Sequence, residues 1–249
     1  MAPVSPLLAT RGLTRRFGGL TAVDRVDFDL PAGEIRAIIG PNGAGKTTFV
    51  SLVCGRIRPT SGEILFDGAD ITGLPAHERV KRGIAYTFQI TSIFPNLTVF
   101  DNVALSVQRG LIDAGGRLRA RDLEAGVAQA LARVHLTDRV DMTAGKLAYG
   151  HQRLLEVAMG LALKPRLLIL DEPTQGLSDA EIDSFIALVR EIAQDATVLL
   201  IEHNMPVVMA LADRITVMSN GAVLAEGTPD AIRADAAVQQ AYLGSTADV

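Results

Sequence analysis

Residues 40–47 are Gly40-Pro41-Asn42-Gly43-Ala44-Gly45-Lys46-Thr47, and this stretch decides the fold. It matches the phosphate-binding pattern G-x-x-x-x-G-K-[ST]. The apolar run 34–39 before it predicts a short strand, and the residues from Thr48 onward predict the start of a helix. Because strand, glycine-rich turn and helix follow one another in the order that the pattern requires, the stretch predicts a phosphate-binding loop.

The residue types in this loop suit a triphosphate. Glycines let the backbone turn so that several N–H groups point inward at a phosphate, aided by the positive end of the helix dipole. Lys46 would reach the outer phosphates, and the Thr47 hydroxyl would bind Mg²⁺. A glycine-rich turn with a stray lysine is the alternative, but only four lysines occur in the chain. The loop therefore predicts binding of a nucleoside triphosphate through Pro41, Asn42, Gly43, Ala44, Gly45, Lys46, Thr47 and Thr48.

A second apolar run, Arg166–Asp171, ends in two adjacent carboxylates, Asp171 and Glu172. Asp171 would hold Mg²⁺ through a water, and Glu172 would polarise the water that attacks the outer phosphate. Both would lie at the carboxyl end of a strand, where open α/β sheets bind their ligands. An acidic strand end at a surface turn is the alternative. Together with the phosphate loop, the pair predicts a nucleotide hydrolase.

Two further polar residues follow predicted strands. His203 comes directly after the run 197–202, where it could contact a γ-phosphate; a structural histidine is an equally good interpretation. Gln89 follows a short strand and could contact Mg²⁺ or the attacking water, although the residues alone favour a surface glutamine.

The hydrophobic pattern predicts an α/β fold. Near-continuous apolar runs at 166–171 and 197–202 are typical of parallel strands covered on both faces, whereas the alternation over 23–30 indicates an antiparallel strand. Residues 90–157 have mainly helical spacing. We expect a single domain over 1–249: a P-loop NTPase core (1–89 and 158–249) with a mostly parallel sheet, an N-terminal antiparallel β subdomain, and a helical subdomain (90–157).

Local patterns predict three boundaries. Ser61-Gly62 is expected to form a turn, and Asn220-Gly221 predicts a hairpin. Ser178, with Glu181 three residues later, matches a capping box at the start of a helix.

Composition limits the class of protein. The formal charge of −4 argues against a nucleic-acid binder. The single cysteine, Cys54, excludes a disulfide within the chain and a zinc cluster. The sequence has no apolar run of roughly 18 residues, and its N-terminus does not resemble a signal peptide. These features predict an intracellular chain that is soluble by itself.

Taken together and in this order, the motifs resemble the ATP-binding subunits of ABC transporters, over almost the whole chain from Leu8 to Gly244. The resemblance implies the ABC ATPase fold, with ATP and Mg²⁺ as cofactors. It implies that Phe17 stacks on adenine and that Gln89 senses a membrane partner as well as the metal. It also implies that His203 is the switch histidine.

The signature loop of that family, usually Leu-Ser-Gly-Gly-Gln, matches Leu147–His151 here. The resemblance implies that Ala148, Tyr149, Gly150 and His151 cap the γ-phosphate bound by the opposite subunit, so that two subunits enclose two ATP molecules. Amides at the start of the following helix would form a dipole-assisted anion site. Ala148 replaces the serine and removes its hydroxyl, Tyr149 replaces a glycine, and His151 replaces the glutamine.

Several segments resemble one subgroup, the larger ATP-binding subunit of branched-chain (hydrophobic) amino-acid importers. They are the Leu-Ala-Tyr-Gly of the signature loop and the segments 12–14, 17–20, 94–98, 201–205 and 241–244. Ser178-Asp179 departs from the Asp-Pro that the family usually has. The segment 107–121 is shorter than is usual in the subgroup.

The resemblance implies an ATP-hydrolysing subunit that powers import of branched-chain or other hydrophobic amino acids. The implied partners are two membrane-spanning permease subunits, a second ABC ATPase subunit (identical or related) and an extracytoplasmic solute-binding protein, with no nucleic acid. The implied location is peripheral, on the cytoplasmic face of the inner (plasma) membrane. A related solute such as urea, amides or aromatic acids is an alternative, as is an exporter subunit. A soluble ABC ATPase of translation or DNA repair fits less well, because those usually carry two cassettes or a long coiled coil. A P-loop kinase or GTPase would not need the signature loop.

Overall fold

The computed structural model describes residues 5–87, 92–113, 115 and 119–243. The chain divides into two compact units, Met1–Arg79 with Ala193–Val249, and Val80–Ile192. The division of the chain expected from the sequence, a core of 1–89 and 158–249 with a helical part of 90–157, stays a prediction.

The elements alternate between strands and helices along most of the chain. The first part contains β1 (Leu8–Phe17), β2 (Leu20–Leu30), β3 (Ile35–Ile39), α1 (Lys46–Val53), β4 (Ser61–Phe66), β5 (Ala69–Asp70) and α2 (Ala76–Lys81). Then follow β6 (Ile84–Thr87), α3 (Val99–Asp113), α4 (Ala120–Arg133), α5 (Tyr149–Ala162), β7 (Leu167–Asp171) and α6 (Asp179–Ile192). The chain continues with β8 (Thr197–Ile201), α7 (Met205–Leu211), β9 (Arg214–Ser219), β10 (Ala222–Gly227), α8 (Pro229–Ala234) and α9 (Ala236–Leu243).

The first unit contains an antiparallel sheet in the order β2-β1-β4-β5. In β2, Val23, Val26, Phe28 and Leu30 are buried and none of the residues between them is, as the alternating pattern predicted. The turn expected at Ser61-Gly62 is wrong, because β4 already begins there.

The same unit holds a mainly parallel sheet segment in which β3 lies between β8 and β9 and is parallel to both. Every residue of β3 and β8 is buried, which explains their mainly apolar sequences; the polar exceptions are Arg36 in β3 and Thr197 in β8. The hairpin predicted at Asn220-Gly221 joins β9 to β10; both residues have positive φ, 49° and 81°. The expected α/β fold class is confirmed.

In the second unit, β6 and β7 form a parallel pair, and all five residues of β7 are buried. The helices α3, α4 and α5 pack against one another. At the start of α6, the Glu181 carboxylate accepts hydrogen bonds from the Ser178 backbone N–H at 2.9 Å and from its hydroxyl at 2.7 Å. The Glu181 side of the predicted capping box is therefore present.

Within the described ranges, none of the helices combines the length and the apolar composition that crossing a bilayer would require.

Candidate nucleotide-binding site

The phosphate loop connects β3 to α1 through three glycines with positive φ: Gly40 (151°), Gly43 (78°) and Gly45 (98°). Two of them also lie against backbone. A Cβ on Gly40 would lie 2.2 Å from the Met218 carbonyl oxygen, and one on Gly45 would lie 2.3 Å from that of Ala22. The loop can therefore take this path only with glycine at both positions.

Neighbouring backbone holds the middle of the loop. Buried Ala44 donates its N–H to the Pro41 carbonyl at 3.2 Å, and its own carbonyl accepts the Gly221 N–H at 3.1 Å. The hairpin between β9 and β10 thus supports the loop, while Asn42 and Gly43 are exposed. A rigid turn with exposed outer residues can present its amides to an anion without rearranging.

Lys46 is the first residue of α1, and its ammonium group lies over the loop. The Nζ atom donates to the carbonyl oxygens of Gly40 at 2.6 Å and Pro41 at 3.0 Å. The N-cap residue, Gly45, makes no side-chain hydrogen bond, and the first turn of α1 has no acidic residue. Thr47 is exposed and Thr48 half-buried. A cation and the uncapped start of a helix thus occur together, which suits a phosphate group.

The opposite end of α1 is held by Arg79, which the sequence analysis did not identify. Its buried guanidinium donates to the carbonyls of Leu52 at 2.7 Å and Val53 at 2.8 Å, and also to those of Leu74 and Thr72 at 3.0 Å. Burial lowers the pKa of the Arg79 guanidinium, which nevertheless stays charged at neutral pH. A cation at the C-terminal end of α1 complements the helix dipole and fixes the helix behind the loop.

Phe17 ends β1 and is 44% exposed. The Arg15 guanidinium carbon lies 4.4 Å from the centroid of this ring, and Nη1 of Arg15 donates to the Arg58 carbonyl at 3.0 Å. The cation therefore covers part of the ring through a cation–π contact and orients it. The adenine contact implied for Phe17 stays a prediction.

His203 follows β8 and is exposed. The neighbouring Glu202 carboxylate is buried and accepts the backbone N–H groups of His203 at 2.9 Å and Asn204 at 3.1 Å. These two bonds fix the turn between β8 and α7, so the histidine lies at a defined strand end.

In the second unit, β7 ends at the two predicted carboxylates. Asp171 is 1% exposed, and its Oδ2 atom accepts a hydrogen bond of 2.7 Å from the Tyr86 hydroxyl. Glu172 is half-buried and has a φ of 47°, in the left-handed region that residues other than glycine seldom adopt. Such a conformation persists where the surroundings hold it in place, and it is frequent at functional sites.

Arg153 on α5 provides one of these constraints. Its guanidinium is fully buried and pairs with the Glu156 carboxylate at 2.8 Å. The Nη2 atom also donates to the Glu172 carbonyl at 2.9 Å and lies 3.5 Å from the Asp171 carbonyl. Helix α5 is therefore tied directly to the backbone of the two predicted catalytic carboxylates.

The predicted signature loop leads into the same helix. Ala148, the N-cap of α5, makes no side-chain hydrogen bond, and the first turn has no acidic residue. Tyr149 is 44% exposed, and a Cβ on Gly176 would lie 3.0 Å from its ring. A Cβ on buried Gly150 would lie 2.3 Å from the Glu181 Oε1 atom. The Ser178 backbone N–H and hydroxyl lower the pKa of Glu181, and half-buried His151 adds a smaller contribution in the same direction. The start of α5 thus packs tightly against the turn before α6.

The predicted metal ligands are Thr47, Gln89 and Asp171. Gln89 lies outside the described residues. Among the residues that are described, no group of three or more His, Cys, Asp or Glu side chains could hold a metal ion. The available donors, the Thr47 hydroxyl and the Asp171 carboxylate, are oxygen ligands of the kind that fit Mg²⁺ shared with nucleotide phosphates.

This fold, with a glycine-rich loop that leads from a buried parallel strand into an uncapped helix, defines a P-loop nucleotide-binding protein. Residues 23–175, more than half of the chain, match the family model described as "ABC transporter". Residues 222–248 match a second model, "Branched-chain amino acid ATP-binding cassette transporter". The chain belongs to the ABC transporter family.

Individual relatives cover nearly the whole chain. It is 41% identical over 250 residues to the "High-affinity branched-chain amino acid transport ATP-binding protein BraF" of Pseudomonas aeruginosa, covering 96% of this chain and 98% of that protein. It is 39% identical to the protein of the same description, LivG, of Escherichia coli, with the same coverage.

Solved structures give the same fold. A nucleotide-free ATP-binding cassette from an ABC transporter superposes with a TM-score of 0.82 at 28% identity, covering 95% of this chain and 98% of that one. The ATP-binding cassette MJ1267 of an ABC transporter superposes with a TM-score of 0.84 at 28% identity and the same coverage. The predicted ABC ATPase fold is confirmed.

Proposed function

We propose that the chain is the ATP-hydrolysing subunit of an import system for branched-chain or other hydrophobic amino acids. The main support for this proposal is the phosphate loop, Gly40–Thr47. The loop leads into a helix without a side-chain cap, and the Lys46 ammonium lies over the loop. The solute follows from the relatives, since BraF and LivG are described as branched-chain amino acid transport proteins. The match of residues 222–248 to the branched-chain model supports the same solute.

In this proposal the first unit binds ATP. The amides of the loop and the ammonium of Lys46 bind the phosphates, and Phe17 stacks on the adenine. Thr47 holds Mg²⁺, which neutralises charge on the outer phosphates when it is bound. Because α1 is fixed at its far end by Arg79, its first amides keep one orientation toward the phosphates.

The second unit provides the carboxylates for hydrolysis. Glu172 is the general base that accepts a proton from the attacking water, and Asp171 is the carboxylate that holds Mg²⁺ through a water. Arg153 keeps the backbone of both residues in place. His203 contacts the γ-phosphate, and Gln89 contacts the metal and the water.

The partners complete the cycle. Ala148, Tyr149, Gly150 and His151 cap the ATP bound by a second ATPase subunit, for which the uncapped start of α5 is suited. Closure of the pair moves two membrane-spanning permease subunits, and an extracytoplasmic solute-binding protein delivers the amino acid. The chain acts peripherally at the cytoplasmic face of the inner (plasma) membrane and needs no nucleic acid.

Replacing Glu172 tests the site. A general base contributes roughly 10²- to 10⁴-fold to a rate, so Glu172→Gln should lower the ATPase rate by at least about 100-fold. Binding of a fluorescent ATP analogue should stay within about twofold of the parent, because the phosphate loop is intact. Glu124→Gln, which changes an exposed carboxylate on α4, is the matched control and should hydrolyse ATP normally. An undiminished rate in Glu172→Gln would overturn the assignment of the base.

The solute is tested in cells. Removing the chain from its source organism should abolish energy-dependent uptake of labelled leucine, isoleucine and valine, and the Glu172→Gln variant should not restore it. Loss of urea or benzoate uptake with unchanged leucine uptake would overturn the amino-acid assignment while leaving the ATPase assignment intact.

A further inference from the structure

Tyr86 lies on β6, where its neighbours Ile84, Ala85 and Thr87 are buried and it is half-buried itself. In the parallel pairing of β6 with β7, Tyr86 is opposite Ile169. Asp171 is two residues further along β7, on the same face of the strand, because side chains alternate with a period of two. The Tyr86 ring therefore extends along the β6–β7 pair, and its hydroxyl donates to the Oδ2 atom of Asp171 at 2.7 Å.

This contact is strong for a physical reason. Asp171 is 1% exposed, and a buried carboxylate requires hydrogen-bond donors to replace water. A tyrosine hydroxyl is neutral and carries its proton at pH 7, so Tyr86 donates and Asp171 accepts. Hydrogen bonds from a hydroxyl to an ionised oxygen are roughly twice as strong as those between neutral groups. The bond fixes one carboxylate oxygen and thereby the direction of the other.

We propose that Tyr86 is a positioning residue for the metal-binding carboxylate of Asp171. This proposal rests on the proposed function, in which Asp171 holds Mg²⁺ through a water. A carboxylate that acts through a water must present one oxygen in a fixed direction, because the ion itself demands near-ideal octahedral geometry. Groups that bond to a metal ligand typically change metal affinity by roughly 10- to 100-fold when they are replaced. Asp171, which acts through a water, is such a group; Tyr86 acts through Asp171, so its effect is expected at or below the low end of that range.

Thr87, the next residue on β6, offers a matched comparison. Its buried hydroxyl lies 3.4 Å from the backbone carbonyl of Ile169, so it contacts the backbone of β7 but not the Asp171 carboxylate. Tyr86→Phe and Thr87→Val each delete one hydroxyl from adjacent residues of one strand and keep the shape of the side chain. A purely structural role of the two hydroxyls would give both variants the same metal affinity.

The test measures metal binding without hydrolysis. In a Glu172→Gln background the protein is loaded with ATP and unbound ATP is removed, because free ATP would itself bind the ion. Mn²⁺ then replaces Mg²⁺, and the free ion is measured by electron paramagnetic resonance. Tyr86→Phe should raise the half-saturating Mn²⁺ concentration by about 10-fold. Thr87→Val should stay within about twofold of its parent, and Asp171→Asn sets the value for a lost carboxylate. Thermal unfolding of each variant establishes that the protein is folded at the temperature of the titration.

The outcomes separate the two proposals. If Asp171→Asn weakens Mn²⁺ binding and Tyr86→Phe does not, Tyr86 is not a positioning residue and the proposed function stands. Equal weakening in Tyr86→Phe and Thr87→Val would also overturn the role of Tyr86, because loss of either strand hydroxyl would then suffice. If Asp171→Asn binds Mn²⁺ as tightly as its parent, the metal role of Asp171 in the proposed function is wrong, and the role of Tyr86 is overturned with it.

Discussion

Helices α5 and α6 belong to the same unit, yet they begin in opposite ways. The first turn of α5 follows Ala148, which offers no side-chain cap, and contains no acidic residue. Helix α6 begins with Asp179 and Glu181 in its first turn, and the Glu181 carboxylate binds the N–H and the hydroxyl of Ser178. The start of α6 is thus supplied with negative charge by its own residues, whereas the first turn of α5 has no acidic residue of its own and has the Glu181 carboxylate beside Gly150.

The first unit repeats the contrast. Helix α1 begins after Gly45 without a side-chain cap, whereas the Thr228 hydroxyl at the start of α8 accepts the Ala231 N–H at 3.3 Å. A missing cap alone does not mark a functional helix start, because α4 also lacks one but carries Asp122 in its first turn. The starts of α1 and α5 lack both a side-chain cap and an acidic residue, which leaves their first amides available to a ligand's charge. The start of α7 also lacks both, so this feature alone does not identify an anion site; at α1 it is joined by the glycine-rich turn and the Lys46 ammonium.

The largest expected effect is on nucleotide affinity, when the charge at the start of α1 is changed. Lys46→Ala removes the cation from an uncapped helix start, and losing one partner of a desolvated charge pair costs about 2–5 kcal/mol. We expect the affinity for a fluorescent ATP analogue to fall by roughly 100-fold or more.

The control for this prediction is at the capped helix of the same unit. Thr228→Ala removes the cap of α8 and should cost about 1 kcal/mol of folding stability in urea unfolding. It should leave nucleotide affinity unchanged. Nucleotide affinity that survived Lys46→Ala would contradict the assignment of the phosphate loop.

A smaller effect, on folding stability, is expected at the contact between the start of α5 and the start of α6. Gly150→Ala introduces a Cβ that would lie 2.3 Å from Glu181 Oε1 and 3.0 Å from its Cδ atom, so the carboxylate must leave its present position. Because the Glu181 side chain is exposed and flexible, its carboxylate can move aside at small cost, but it then gives up its hydrogen bonds to Ser178. In urea unfolding we therefore expect Gly150→Ala to gain less stability than an unobstructed Gly→Ala change in a helix.

Gly110→Ala in α3 is the matched control, because its Cβ would meet only the Ala162 carbonyl at an ordinary 3.6 Å. It should stabilise the protein by about 0.5–1 kcal/mol, since alanine is the better helix former. A gain in Gly150→Ala as large as that in Gly110→Ala would contradict the packing described for the start of α5.

The smallest effect concerns the pH dependence of the α6 start. The Ser178 N–H and hydroxyl hold the pKa of Glu181 below its usual 4.5, with a further contribution from the charge of His151. A carboxylate with a lowered pKa in the folded state stabilises the fold above its unfolded pKa. That stabilisation is lost as the pH falls through the folded pKa. Ser178→Ala should therefore be less stable than the parent at pH 7, and the difference should shrink below about pH 4. The backbone N–H bond to Glu181 is present in both proteins, so a difference that stays constant from pH 7 to pH 3 in urea unfolding would show that the bond from the Ser178 hydroxyl to the Glu181 carboxylate does not stabilise the turn.

Features formed by neighbouring residues could be predicted from the sequence. The phosphate loop, the Ser178–Glu181 pair and the Asn220-Gly221 hairpin each lie within eight consecutive residues, so composition and spacing determine them. The turn predicted at Ser61-Gly62 was wrong, because this glycine serves another purpose. Gly62 has a φ of 90° inside β4 and lets the strand approach Gly12 closely: a Cβ there would lie 2.4 Å from the Gly12 carbonyl oxygen.

The contacts that hold the predicted carboxylates could not be predicted. Tyr86 and Asp171 are 85 residues apart, and Arg153 and Glu172 are 19 apart. Their meeting depends on the register of β6 against β7 and on which side of α5 faces β7, neither of which a local pattern specifies. An arginine within an otherwise apolar stretch of a predicted helix, such as Arg153, is a signal in the sequence that could have indicated the contact with Glu172.

The bond between Tyr86 and Asp171 has a further, optical consequence. The chain has three tyrosines and no tryptophan, so its ultraviolet emission comes mainly from its phenol rings. A phenol that donates to a carboxylate transfers its proton readily in the excited state and is quenched, and it brightens when that bond lengthens. The Tyr86 share of the tyrosine emission should therefore respond to the Asp171 carboxylate, and comparison with Tyr86→Phe would identify that share.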